Sequence, residues 1–158
     1  MAVVIREATR EDAETIARFA MLLSERHLEY DVDRFISLND AEGAKWYYGS
    51  QTEADNAVIL LAEEEGRAIG FGFIQFEAVN YADLLKSAAW LHDIYIEESA
   101  RGSGTGKKLI EASVAAAKRL GADKLMLHVA AKNAFGAEFF ERNGFRTTML
   151  EMMLKLPD

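Results

Sequence analysis

Between residues 89 and 129 the chain reads strand, glycine-rich loop, helix, strand, and that order constrains the fold more than any other feature. Ala89–Ile96 is an apolar run bounded by polar residues, and Arg101-Gly102-Ser103-Gly104-Thr105-Gly106 places three glycines in five residues. Thr105–Leu120 then carries Leu109, Ile110, Val114, Ala117 and Leu120 along one helical face, with Lys107, Lys108, Glu111 and Lys118 around the other. Gly121 stops the helix, and Lys124–Val129 reads as a second strand. Two strands joined through a crossover helix in one sheet lie parallel with a right-handed connection. The glycine loop therefore falls at a helix N-terminus, where free N–H groups and the positive end of the dipole converge. Glycines let the backbone turn those N–H groups inward, so the expected ligand is a phosphate or pyrophosphate. An ordinary glycine-rich turn ahead of a helix has the same composition.

The remaining elements surround this unit. Val3-Val4-Ile5 is a short strand, and Thr9 to Asp12 supplies capping residues for a helix of about four turns in which Ile16, Phe19, Ala20 and Leu23 share a face. From Asp31 to Asn56 the pattern weakens; Phe35, Ile36 and Leu38, then Trp46-Tyr47-Tyr48, fit short helices broken at Asn39-Asp40 and at Gly49. Ala57–Ala62 reads as a buried strand, Glu63 to Arg67 as a solvated turn, and Ala68–Phe76 as the hairpin partner. With Ala89–Ile96 these form an antiparallel meander, Ala78 to Ala88 connecting the last two strands. A short helix over Ala134–Arg142 ends at Asn143-Gly144, and strands over Phe145–Thr147 and Met149–Leu156 are expected to complete the sheet. The fold class is α/β, or α+β: a mixed sheet with an antiparallel N-terminal meander and a central parallel pair, flanked by helices. Residues 1–158 make one domain of a size that buries a core without staples.

Spacing separates three kinds of phosphate loop. A Walker loop would put Arg101 where its first Gly belongs and Lys108 where a hydroxyl should hold magnesium. The dinucleotide fingerprint fails because Gly102, Gly104 and Gly106 are evenly spaced and Lys107 stands at the third glycine. The pattern Arg/Gln-x-x-Gly-x-Gly/Ala is met at Arg101, Gly104 and Gly106. In this the chain resembles the GNAT superfamily of acetyl-CoA-dependent N-acetyltransferases, over nearly its whole length: Ile96 stands five residues before Arg101, Asn133 follows the strand after the helix, and Phe139 to Phe145 resembles the closing helix with its Gly-Phe ending. Within the superfamily, Leu91-His92-Asp93 is similar to the Leu-Glu-Asp of polyamine and diamine acetyltransferases.

The resemblance implies acetyl-CoA as donor and no metal. It assigns the cofactor to Ile94, Tyr95, Ile96, Arg101, Gly102, Ser103, Gly104, Thr105, Gly106, Lys107, Asn133 and Phe140. Backbone near Tyr95 or Ile96 would polarise the thioester carbonyl. In many members a Tyr of the last helix is the acid; its place here is taken by Phe140, which cannot donate a proton. The catalytic candidates are accordingly His92, Asp93 and Tyr95, with His92 able to take the amine proton, and Glu77 and Asp93 are the substrate-side carboxylates. Tyr30, Trp46, Tyr47 and Tyr81 are candidates for an acceptor pocket, whereas His27 and His128 read as structural.

The expected reaction is direct acetyl transfer to the primary amine of a small cationic acceptor. A protein or peptide acetyltransferase and a non-catalytic acyl-CoA sensor are the alternatives. A formal charge of −8 argues against nucleic acid as a partner. No run approaches a membrane span, and the absence of cysteine excludes a thiol nucleophile and fits a reducing, cytoplasmic setting. A homodimer is compatible with the resemblance, with no interface legible.

Overall fold

The computed structural model describes residues 2–158. The expected meander forms from β2 (Ala57–Glu64), β3 (Arg67–Asn80) and β4 (Leu85–Ile96), because each run pairs apolar residues antiparallel with the next. β1 (Val3–Glu7) adds antiparallel to β2, and β5 (Lys124–Met126) adds parallel to β4, giving a five-stranded sheet in the order β1-β2-β3-β4-β5. The helices are α1 (Ala13–Tyr30), α2 (Ala41–Gln51), α3 (Thr105–Leu120) and α4 (Ala134–Arg142). Among the described residues no helix is long and apolar enough to cross a membrane.

Alternation along the strands splits the core into two layers. Ile59, Leu61, Phe71 and Phe73 pack with Ile16, Phe19, Ala20 and Tyr48 of α1 and α2. Leu60, Ala62, Ile74, Ala89 and Leu91 pack on the other face with Leu109, Ile110 and Ala117 of α3 and Phe140 of α4. At the N-terminal end the Arg6 guanidinium donates to both Asp12 oxygens at 2.9 Å and to Glu63 at 2.9 Å, tying β1 to the start of α1 and to β2. Asp12 also accepts from the Thr9 N–H at 2.8 Å, and together with Arg6 this holds its carboxyl below the usual range.

One irregularity positions the site. Phe73 opposes Asp93 and Ile74 opposes Leu91, so His92 is an extra residue on β4. The bulge breaks the side-chain alternation. Leu91, Ile94 and Ile96 pack toward α3, while the His92 ring lies tilted against Phe73 at 5.4 Å and Asp93 reaches Tyr48, so both turn toward α1 and α2.

Several boundaries differ from the sequence reading. Residues 35–38 form no helix; Phe35 is held by its ring against His27 at 4.8 Å. α2 runs through Gly49, where the missing side chain lets the helix approach Ala13 and Arg10, at 3.4 Å from a notional Cβ. β3 and β4 extend to Asn80 and from Leu85, with Val79 opposite Lys86, so the connection shrinks to residues 81–84. β5 stops at Met126 instead of Val129, its pairing with β4 ending at Trp90 although β4 itself continues to Ile96. The expected closing strands over Phe145–Thr147 and Met149–Leu156 are absent: residues 145–158 carry no regular structure and pair with no strand of the same chain.

Phe19 is fully buried between Phe71, 6.1 Å away, and Tyr95, 5.4 Å away, and joins α1 to the centre of the sheet. Phe19→Ala is expected to lower the unfolding free energy by about 3–5 kcal/mol in urea titrations at pH 7.

Candidate active site

Parallel pairing of β4 with β5 covers only Ala88 to Trp90 against Lys124 to Met126. Beyond it a cavity of about 380 Å³ opens between Ile94–Ile96 on one side and Leu127–Ala130 on the other. The glycine loop and α3 N-terminus close one end, through Arg101, Gly102, Gly104, Gly106 and Lys107. Asn133, Phe139, Phe140 and Arg142 close it from α4, and Leu23, Arg26, His27 and Tyr30 of α1 form the opposite wall.

The loop is shaped for an anion. Gly102 and Gly104 have φ of 76° and 88°, a conformation that side chains resist, and a Cβ on either would meet no protein atom within 4 Å. No side chain caps α3 and no acid sits in its first turn, so its leading N–H groups are left for a ligand. Gly106 is required for a different reason, since a Cβ there would lie 2.8 Å from Phe139 Cζ where α3 and α4 touch. Ser103 and Thr105 do not line the cavity. Their hydroxyls lie 2.8 Å apart, with Ser103 Oγ donating to Ala100 O at 2.6 Å, so both brace the loop from behind. Arg101 Nε donates to Ile96 O at 3.1 Å and ties the loop to the end of β4.

His92 lines the cavity and Asp93 does not. His92 Nε2 lies 3.2 Å from Gln75 Oε1; a carboxamide oxygen only accepts, so Nε2 donates and Nδ1 keeps its lone pair. Desolvation lowers the His92 pKa below its ordinary value, against the opposing pull of the Asp93 and Glu77 charges, and the ring is neutral at pH 7. Asp93 turns under the floor and accepts from Tyr48 Oη at 2.8 Å. Its carboxylate is enclosed although the residue as a whole is only half-buried, and desolvation raises its pKa against the Tyr48 bond. Burial and the Asp93 charge in turn push the Tyr48 phenol far up.

The other candidates separate cleanly. Ile94, Tyr95, Ile96, Asn133 and Phe140 all line the cavity. Asn133 Oδ1 caps α4 by accepting from Gly136 N at 2.9 Å. Glu77 is off the lining and accepts from Asn80 at 2.8 Å, so it reaches the site only through its charge. Of the proposed aromatics, Tyr30 lines the cavity, Trp46 faces a separate surface recess beside Arg10 and Lys45, Tyr81 is exposed at the hairpin tip, and Tyr47 packs on Tyr48 and Phe73. His27 and His128, read as structural, both line the cavity, His128 stacked on Trp90 at 4.8 Å. Arg26 and Arg142 were missed altogether; Leu23, His27 and Tyr30 recur at i, i+4 and i+7, a face the helical pattern marked without saying that it borders a cleft.

A raised carboxyl pKa means that the folded state holds the Asp93 proton more tightly than the unfolded one, so ionising Asp93 costs stability as pH rises through that raised value. The Tyr48 bond offsets part of this cost. Tyr48→Phe is expected to reduce stability by about 1 kcal/mol where Asp93 is protonated and by about 1.5–3 kcal/mol above its raised pKa, where a charge-assisted bond is lost. Urea unfolding across pH 4–8 reads the difference; a loss that did not grow with pH would contradict a Tyr48 bond to a carboxyl that ionises in that range.

The comparisons with known proteins agree with this geometry. The model of the Acetyltransferase (GNAT) family matches residues 17–145. A Bacillus subtilis (strain 168) relative, the uncharacterized N-acetyltransferase YhfO, is 29% identical over 157 residues, 97% of each chain. The putative phosphinothricin acetyltransferase YwnH of the same organism is 25% identical over 142 residues, 89% of this chain and 82% of its own. Among solved structures, a tetramutant of the BH1408 protein from Bacillus halodurans superposes with TM-score 0.82 at 22% identity, covering 97% of this chain and 99% of that one. The aminoglycoside acetyltransferase AAC(6')-Iy, in complex with the bisubstrate analog CoA-S-monomethyl-acetylneamine, gives 0.81 at 17% identity with 100% of both chains covered. At these identities the structural likeness establishes the fold alone. With the family match spanning most of its length, the chain belongs to the acetyltransferase (GNAT) family.

Proposed function

We propose that this protein is an N-acetyltransferase that moves the acetyl group of acetyl-CoA directly to the primary amine of a small molecule. The observation that carries this reading is that one cavity joins an uncapped helix N-terminus to a neutral histidine. The donor fits the residues present. The α3 N–H groups and Lys107 suit the diphosphate, with Arg101 beside them, and the open φ of Gly102 and Gly104 leaves its volume free.

Strand parity supports a backbone site for the pantetheine arm. Glu97 N donates to Ile69 O at 2.8 Å, so odd-numbered residues here turn their N–H toward β3. The N–H groups of Ile94 and Ile96 and the C=O of Ile94 then face the gap left by β5, the Ile96 C=O already accepting from Arg101. An extended amide-bearing chain can pair with them as an added strand. Of the two positions considered from sequence, this favours the Ile96 N–H over that of Tyr95 for the thioester carbonyl. Tyr95 contributes its ring to the wall. Bound acetyl-CoA supplies the activated acyl group; the protein aligns it, excludes water and handles protons.

His92 is assigned the base. Its Nδ1 lone pair is available at neutral pH, and the Gln75 contact fixes the tautomer. Asp93, beneath it, holds Tyr48 and favours positive charge nearby, a positioning role. Phe140 packs against Phe139 and Phe145 at 5.3 and 5.7 Å and offers no proton, which leaves Tyr30 and Tyr95 as the phenols on the lining. The likeness to AAC(6')-Iy and the relation to YwnH support a small-molecule acceptor. The lining carries Arg26, Arg101, Lys107 and Arg142 and no Asp or Glu, so an acceptor with one amine suits it better than a polycation.

A panel of small amines, peptides and aminoglycosides, assayed by release of free coenzyme A, tests the reading. His92→Ala should retain acetyl-CoA affinity and lose about 10²–10⁴-fold in turnover, and wild-type kcat/KM should fall as pH drops through the lowered His92 pKa. Turnover unchanged in the variant would remove His92 from the chemistry. Tight acetyl-CoA binding without turnover on any acceptor would favour a sensor.

A further inference from the structure

The α1 wall of the cleft carries hydrogen-bonding groups that the protein itself does not use. Arg26, His27 and Tyr30 are half-buried and line the cavity, with Arg26 and Tyr30 one turn apart on the same helical face. Among the described residues the Arg26 guanidinium makes no ion pair and no hydrogen bond, although Glu25 and Glu29 stand close to it along α1 and are both exposed. The other arginines of the lining are engaged: Arg101 donates to Ile96 O at 3.1 Å, and Arg142 pairs with Glu138 at 3.3 Å. His27 Nδ1 donates to Leu23 O at 2.9 Å, and its ring lies edge-on to Phe35 at 4.8 Å and to Tyr30 at 5.8 Å. It thus holds the Tyr30 ring beside Arg26, and the Tyr30 hydroxyl has no partner among the described residues.

A guanidinium presents its N–H donors as a planar fork that fits a carboxylate or a phosphate, and partial desolvation strengthens such a pair. The coenzyme diphosphate belongs to the other end of the cavity, with Lys107, Arg101 and the glycine loop, so it leaves Arg26 unmatched. The bulge turns His92 and Asp93 toward α1, and His27 lies close enough to Asp93 for its charge to act on that carboxyl. Arg26 and Tyr30 therefore stand across the cleft from the proposed base. No Asp or Glu lines the cavity to hold a second ammonium group.

We propose that the acceptor carries an anionic group, a carboxylate or a phosphate, beside its primary amine, and that Arg26 and the Tyr30 hydroxyl hold that group while the amine faces His92. This deepens the proposed function and rests on it for the amine. The same arrangement selects against other acceptors. A polycation meets the like charges of Arg26 and Arg142, and a neutral amine leaves the Arg26 fork unpaired. An amino acid or a small amino-phosphate has the required pair of groups.

Calorimetric titration of the coenzyme A-saturated protein with matched ligands tests this: the common amino acids, each against its carboxamide, and phosphoethanolamine against ethanolamine. At least one charged ligand should bind about 10–100-fold more tightly than its neutral counterpart, the first arm reporting a carboxylate site and the second a phosphate site. Arg26→Gln should abolish that ratio, and Arg26→Lys, which keeps the charge without the fork, should restore part of it. No binding by any charged ligand, neutral ligands binding equally well, or a ratio that survives Arg26→Gln overturns the proposal. Weakened acetyl-CoA binding in Arg26→Gln with the ratio unchanged also overturns it, assigning the guanidinium to the donor. If a variant does not fold, the ratios of the unaltered protein still decide. Charge-selective binding without release of free coenzyme A from acetyl-CoA would keep the anion site and sink the transferase reading; acetylation of neutral amines as readily as charged ones would do the reverse.

Discussion

Backbone groups that lose their partner inside a protein must find another. β4 runs six residues past Trp90 while its pairing with β5 ends there, so the N–H groups of Ile94 and Ile96 and the C=O of Ile94 face a gap where a ladder would otherwise continue, and the C=O of Ile96 accepts from Arg101. The rest of the site depends on that parting. It opens the cavity between the strand ends, and the right-handed crossover through α3 brings the glycine loop to its mouth. A ligand with amide groups along its length and phosphates at one end meets both features at once, without any side chain having to recognise it.

The β-bulge at His92 is what places the proposed base in this scaffold. An unbroken strand would send His92 and Asp93 to opposite faces; the extra residue puts both on the α1 side. The two then divide the work by depth. Asp93 is enclosed under the floor and bonded to Tyr48, with its pKa raised by burial, while desolvation lowers the pKa of His92 on the wall. Glu77 influences the ring from a distance and makes its own bond to Asn80. In the proposed reaction a histidine held in one tautomer by Gln75, with its pKa lowered, would need no further activation to receive a proton from an amine.

Much of this was legible from the chain because the governing patterns are local. The helix face of Leu109, Ile110 and Ala117 and the three glycines before it place an anion site at a helix start with no knowledge of the fold. The meander follows from apolar runs of strand length. What escaped depends on relations between distant residues. Ladder register decides that His92 is the bulged residue, and no one-dimensional pattern reports it. Arg26 and His27 lie on α1 residues whose spacing marks a buried face, and only the parting of β4 and β5 turns part of that face into a wall. Phe35 has the hydrophobicity of a helix residue but is placed by a ring contact with His27. The closing strands expected over Phe145–Thr147 and Met149–Leu156 rested on apolar alternation alone, and the structure forms neither of them.

The central claim is that the parted strands and the α3 N-terminus together form the donor site. Amide chemical shifts of the isotope-labelled protein, followed during titration with coenzyme A, test it most directly. The account predicts saturable shifts at two separated groups, the loop amides of residues 102–107 and the strand-end amides of Ile94, Ile96 and Leu127–Val129, with a common dissociation constant. Shifts confined to other surfaces, or saturation at the loop with the strand ends unmoved, would contradict it.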